Sequence, residues 1–200
     1  SAATIGHGLG VKPSCIIVKD RGAINDWAVY HGSVSSDPET DYLLLNNTNA
    51  LTDDSTYWND TAPTTSVFSI GTNADVNTNT NTYVAYCFAN IEGYIKAGSY
   101  IGNANADGTF VYTGFRPSFF ISKPLTATPW RIQDDKRNPY NVGDAVLYPY
   151  LVNAEATAAS NYIDLVSNGV KMRATGGFNA ALTFIYIAFA ENPFQYATAR

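Results

Sequence analysis

Charge is scarce in this chain. Only 14% of its 200 residues are Asp, Glu, Lys or Arg, well below the quarter usual for a soluble domain. The balance is acidic, with a formal charge of −5 at pH 7, so no basic footprint for nucleic acid exists. Long apolar runs are also missing. The most apolar stretch, LTFIYIAFA at 182–190, is too short for a membrane-spanning helix, and no membrane insertion is expected. The two histidines, His7 and His31, have no Cys or His partner at ligand spacing, which excludes the usual zinc arrangements. The two cysteines, Cys15 and Cys87, sit inside the apolar runs CIIV and YVAYCFA. They read as buried thiols, with a disulfide between neighbouring strands as the other reading.

Motifs of common chemistry are absent as well. GHGLG lacks the third glycine of a dinucleotide fingerprint, and no P-loop or GxSxG elbow occurs. Seventeen acids supply many pairs without singling out a glycosidase pair. The segment DDSTYWND at 53–60 has oxygens suited to calcium but not the spacing of an EF-hand, and reads as a solvated acidic loop. No metal, cofactor or catalytic residue is expected. Helical periodicity is weak, its best candidates being NAEATAAS at 153–160 and PYNVGDAVL at 139–147.

What the chain does hold is aromatic: 14 Tyr and 10 Phe, which favour strands. It also repeats itself. LGVKPSCIIVK at 9–19 returns as TGFRPSFFISK at 113–123, placing Pro13 on Pro117 and Lys19 on Lys123. Trp27 then matches Trp130. LLLNNTNA at 43–50 resembles LYPYLVNAEA at 147–156, and SVFSIGTNADVN at 66–77 resembles GVKMRATGGFN at 169–179. TYVAYCFANIEG at 82–93 aligns with TFIYIAFAENPF at 183–194. Collinear matches at a nearly constant offset imply one ancestral unit copied in tandem.

Each unit reads as short strands. Proline launches CIIVK or FFISK, since a strand's first residue needs no ladder donor. A turn leads to Trp27–Tyr30 or Trp130–Gln133, then come VFSI or VKMR and the closing strand YVAYCFA or FIYIAFA. The expected fold is all-β: two tandem, internally duplicated, antiparallel β-sandwich-like units over 1–93 and 94–200, with a small junction near 90–102.

The residues YIKAGSYIGNANADGTFVYTGFRPSFFISK, WRIQDDKRNPYN, YIDLVSNGVKMRATGGFNA and FIYIAFAENPF resemble a repeat of tail-fibre and related virion proteins of tailed bacteriophages. The matching positions are Tyr100, Gly102 and Asn103; Gly114, Phe115 and Pro117; Trp130; Asp134 (or Asp135), Arg137, Pro139 and Asn141; and Ala188 to Glu191. The match covers most of 94–194 closely and 3–93 less so. The first copy has HGSVSSDPETDY in place of the Asp-x-x-Arg-x-Pro-x-Asn element. Its opening Tyr-x-Gly-Asn strand is expected before Ser1, and QYATAR is expected to close the chain. The resemblance implies a non-enzymatic virion protein, extracellular, oligomeric with other virion subunits, and contributing to assembly and to recognition of a host-surface glycan.

Positions shared by the copies are expected to hold the unit together: Pro13, Trp27, Pro117 and Trp130, with Arg137 stapling a polar loop in the second. Tyr57, Trp58 and Asp60 have no counterpart. Aromatics beside acids suit sugar stacking, which makes them the candidate glycan contacts; the competing reading is that Trp58 plugs a unit junction or subunit contact. A carbohydrate-binding module of an extracellular protein is the alternative function. A polysaccharide-degrading enzyme is the third reading.

Overall fold

The computed structural model describes residues 1–193; QYATAR lies outside them. The chain is all-β and divides into two compact units, Ser1–Ala89 and Asn90–Arg200. The second begins slightly earlier than expected. The Asn90 side chain bonds the backbone of Ala97 on both sides, and Ile91 bridges to Ile95, which ties the turn to the strand after it. The expected junction near 90–102 is mostly that strand.

The first unit contains β1 (Ala3–Gly6), β2 (Cys15–Asp20), β3 (Trp27–His31), β4 (Asp41–Leu44), β5 (Thr52–Asp53), β6 (Val67–Ile70) and β7 (Tyr83–Phe88), with single helical turns α1 (Ser55–Trp58) and α2 (Ala74–Asn77). One sheet runs β5-β4-β3-β2-β7, and β1 pairs with β6 in another. All pairs are antiparallel. β2, paired on both sides, is largely apolar on both faces, with Cys15 and Ile17 on one and Ile16 and Val18 on the other. Its inward side chains Ile16 and Val18 join Ala28, Tyr30 and Leu44 against Phe68 and Ile70 of β6 and Val76 of α2, making a two-layer packing. Each such large apolar side chain contributes about 1.5–3 kcal/mol when taken from water.

The second unit contains β8 (Ile95–Ile101), β9 (Phe110–Tyr112), β10 (Pro117–Pro124), β11 (Arg131–Asp134), β12 (Ala145–Val146), β13 (Ala156–Thr157), β14 (Ile163–Val166), β15 (Gly169–Met172) and β16 (Thr183–Ala190). Its main sheet runs β11-β10-β16-β8; β14-β15-β9 form a second sheet and β12-β13 a small ribbon. Phe120, Phe184, Tyr186 and Ala188 pack against Ile163, Leu165, Val170 and Met172. Gly98 on β8 is required by this packing, since a Cβ there would lie 2.9 Å from the Tyr186 hydroxyl.

Neither helix candidate forms an α-helix. Residues 145–146 and 156–157 pair as β12 and β13, and 159–161 make a 3-10 turn. Side chains of nearby asparagines hold the backbone out of a helix: Asn138 accepts from the Asp144 and Ala145 N–H groups, and Asn141 brackets Leu165 from both sides.

Candidate functional site

Tyr57 and Trp58 are not at the surface. Asp54 caps α1 by accepting from the Thr56 N–H at 2.8 Å, and the single turn swings both rings inward. Tyr57 is 4% exposed and Trp58 2%. Tyr57 stacks on Tyr42 with centroids 3.7 Å apart and donates to the Asp75 carboxylate at 2.7 Å. Burial, reinforced by that carboxylate, pushes its phenol well above the ordinary range. Trp58 meets Tyr30 edge-on. Rings packed this way offer no face to a sugar, so the expected glycan contact is corrected to core packing within the first unit. Asp60 alone is exposed.

The anchors behave more simply. Pro13, Pro117 and Trp130 are buried, and Trp27 is half-buried, stacked on Tyr86. Arg137 staples its loop. It bonds the Asp134 carboxylate at 2.6 Å, Glu155 at 3.0 Å and the Ile132 carbonyl at 3.2 Å. Asp134 is thus the Arg137 partner, whereas Asp135 lies near Arg116 and Lys136. Burial works against the Asp134 charge, but hydrogen bonds from Arg137 outweigh it and hold that carboxyl below the ordinary range.

Lys19 and Lys123 close the turns after β2 and β10. Lys19 donates to the Asp20 and Ala23 carbonyls at 2.7 and 2.9 Å. Lys123 donates to the Thr126 and Thr128 carbonyls at 3.2 and 2.7 Å. Burial, with Arg131 nearby, draws the Lys123 ammonium down to about 8. His31 is buried and accepts from the Ser33 N–H; His7 accepts from the Leu9 N–H. Cys15 and Cys87 are free thiols, and burial pushes both upward. Among the described residues no cluster of His, Cys, Asp and Glu could hold a metal ion.

Two surface features remain, one in each unit. In the first, β7 is the last strand of its sheet, with Ala85 and Tyr86 exposed. Beside it runs a groove of about 380 Å³ between the two layers, lined by Val18, Phe68, Ile70, Val76, Tyr83 and Ala85. A second hollow, of about 400 Å³, continues past Cys87 and Phe88 toward His7. In the second unit, Tyr112 is 59% exposed, with the Lys96 ammonium 5.2 Å from its ring centroid. It borders a shallow hollow of about 290 Å³ with Asn90, Glu92, Lys96 and Thr113. Sequence reading missed both. The groove is a missing neighbour, which no residue string displays. Tyr112 lies in an ordinary-looking strand, and only its pairing with Lys96 across the layers marks it.

The fold thus defines an all-β protein of two antiparallel units with an open sheet edge in the first. The chain belongs to a domain family of unknown function (DUF7483), whose model matches residues 1–193 and so runs across both units. No curated protein and no solved structure matches it.

Proposed function

We propose that this chain is an internally duplicated, non-enzymatic structural module of a virion tail fibre or tail appendage, acting in assembly and in contact with the host surface. The observation that carries the reading is ladder register. In the first unit Ile16 faces Cys87, Val18 faces Ala85 and Lys19 faces Val84. In the second, the residues aligned with them by sequence keep the same partners: Phe120 faces Ala188, Ser122 faces Tyr186 and Lys123 faces Ile185. The agreement extends outward. Val29 faces Leu43 as Ile132 bridges to Leu147, and Asp41 faces Asp53 as Ala145 faces Thr157. A single slip would reverse every side chain, so shared register over several strands supports tandem copies, the organisation that the tail-fibre resemblance implies. Repeated β modules suit assemblies built around symmetry axes.

The direct test is localisation. An antibody raised against the chain should decorate tails of purified particles in electron micrographs, and mass spectrometry should recover the chain from those particles. Its absence from particles that remain infectious refutes the assignment.

A second reading, a carbohydrate-binding module, draws support from Tyr112. An exposed ring beside Lys96, Glu92 and Asn90 offers stacking and polar groups together. Glycan-array binding that is lost in Tyr112→Ala, with the melting midpoint unchanged, supports this reading. An array with no binder argues against it.

A further inference from the structure

On the β16 side, the main sheet of the second unit carries one strand more than the first unit's sheet carries on the β7 side. There β16 carries β8 on its outer side, paired from Phe189 opposite Ile95 to Thr183 opposite Ile101. Among the described residues, no strand pairs with the outer side of the aligned strand β7. What β8 brings to the core is Tyr100. Its ring stacks on Phe184 at 4.9 Å, and its hydroxyl donates to the Phe178 carbonyl at 2.8 Å. By ladder position and sequence alignment, Phe184 corresponds to Tyr83, Tyr186 to Ala85, Ser122 to Val18 and Phe178 to Val76. Those four residues of the first unit line the open groove beside β7. The space that Tyr100 fills in one unit is the hollow of the other.

We propose that the β7 edge is a strand-acceptor site, and that its occupant is an extended segment of β8's chemistry entering just ahead of Ser1, antiparallel to β7. Three observations define it. First, the entry point is fixed. Asn77 donates to the Ser1 carbonyl at 2.9 Å, as Asn179 donates to the Asn105 carbonyl at 2.8 Å, and β8 ends at Ile101, a short turn before Asn105. Second, the segment places an aromatic side chain opposite Tyr83, as Tyr100 stands opposite Phe184. Third, it carries a bulky apolar residue opposite Ala85. In the second unit glycine occurs there because Tyr186 lies over it; alanine leaves that volume unfilled. The third requirement disfavours β8 of a second copy, which carries glycine at that position and is already paired with β16. Strand addition of this kind draws affinity from main-chain bonds and specificity from the alternate side chains. It also covers the outward-facing backbone groups along Tyr83–Cys87, a stretch without a charged side chain to protect it.

The inference rests on the tandem-copy reading and not on the virion assignment. Cys87 lies on this edge, half-buried, while Cys15 is fully buried, so the labelling rate of Cys87 by a thiol reagent reports occupancy. The chain is extended by a copy of residues 93–104 ahead of Ser1, with leucine replacing the copied Gly98. Cys87 labelling should slow by about tenfold or more relative to the unextended chain, with a higher melting midpoint. Replacing the copied Tyr100 by serine should restore most of the rate. If the extended chain misfolds, the same segment added as a free peptide at millimolar concentration should protect Cys87 of the unextended chain. Labelling unchanged by extension and by peptide overturns the site. So does an unextended chain that is a dimer with Cys87 already protected, since the occupant is then a second copy. Should the acceptor fail, the tandem-copy reading survives it, since that reading stands on the shared register of β2–β7 and β10–β16.

Discussion

Asn77 and Asn179 make the same pair of bonds. The Asn77 side-chain amide donates to the Ser1 and Gly71 carbonyls at 2.9 and 2.7 Å. The Asn179 amide donates to the Asn105 and Ala174 carbonyls at 2.8 and 2.7 Å. Each joins the segment leading into the unit's early strand to the end of the strand pairing with it. Asn179 does more, accepting from the Asn103 and Thr109 N–H groups while 1% exposed.

Removing a buried amide leaves those backbone groups unsatisfied. Asn179→Ala should therefore destabilise by about 2–4 kcal/mol, as several buried partners are orphaned at about 1–3 kcal/mol each and partly relax. Asn77→Ala, half-buried with water at hand, should cost about 1 kcal/mol. Urea titrations of the two variants measure the difference, and equal losses would contradict the account.

Gly98 and Tyr186 form a size-matched pair. A Cβ at Gly98 meets the Tyr186 hydroxyl and ring at 2.9–3.1 Å. Gly98→Leu should cost about 1–3 kcal/mol through overpacking, and Tyr186→Ala about 3–5 kcal/mol through the cavity it leaves. Together they should cost less than the sum by about 1 kcal/mol or more, because leucine enters the vacated space. A double-mutant cycle by denaturant unfolding reads this coupling; additivity would remove the steric argument.

Lys123 predicts a rise in stability with alkali. Burial, aided by Arg131, lowers its folded value to about 8, whereas the unfolded lysine keeps its ordinary 10.5. Between these values the unfolded chain binds more protons, so stability rises with pH. Cys15 and Cys87, held up by burial, oppose the trend above their ordinary 9.0. The rise is thus read between pH 8 and 9. Lys123→Met should flatten it, as followed by the melting midpoint across that interval.

Asp20 predicts the opposite limb. Burial opposes its charge, but hydrogen bonds from Asn81, the Gly22 N–H and Asn25 outweigh it and depress its value. Stabilisation from a depressed carboxyl is fully present above its ordinary 3.8 and lost as pH falls through the folded value. Asp20→Asn should lower stability at neutral pH and weaken its further decline below about pH 4. Denaturant midpoints along an acid series would show it; an unaltered acid limb would exclude Asp20 as a contributor.

Strands that carry the fold are legible because each is an uninterrupted apolar run; β2, β10 and β16 are largely buried, and β7 keeps the run although Ala85 and Tyr86 are exposed. CIIVK, FFISK, YVAYCFA and FIYIAFA became β2, β10, β7 and β16. Tyr57 and Trp58 misled because their neighbours are all polar. One capped helical turn separates their inward direction from the outward direction of Asp53, Asn59 and Asp60, and local composition does not encode that geometry. The 139–160 segment misled for a related reason. Its alanines favour helix, while local bonds to Asn138 and distant ones between Asn141 and Leu165 hold the backbone out of a helix. Similar segments recur in the same order and spacing along the sequence, whereas the open groove emerges only when the strands are laid side by side.

The first long strand of each unit is paired with its last, β2 with β7 and β10 with β16. No prefix of a unit can complete its own sheet. A ribosome must deliver almost a whole unit before the central ladder can close, and the entropy of that large loop is spent before any rung repays it. Folding should accordingly be slow for the chain's size, and a stop codon inside β16 should cost the entire second unit rather than its final strand alone.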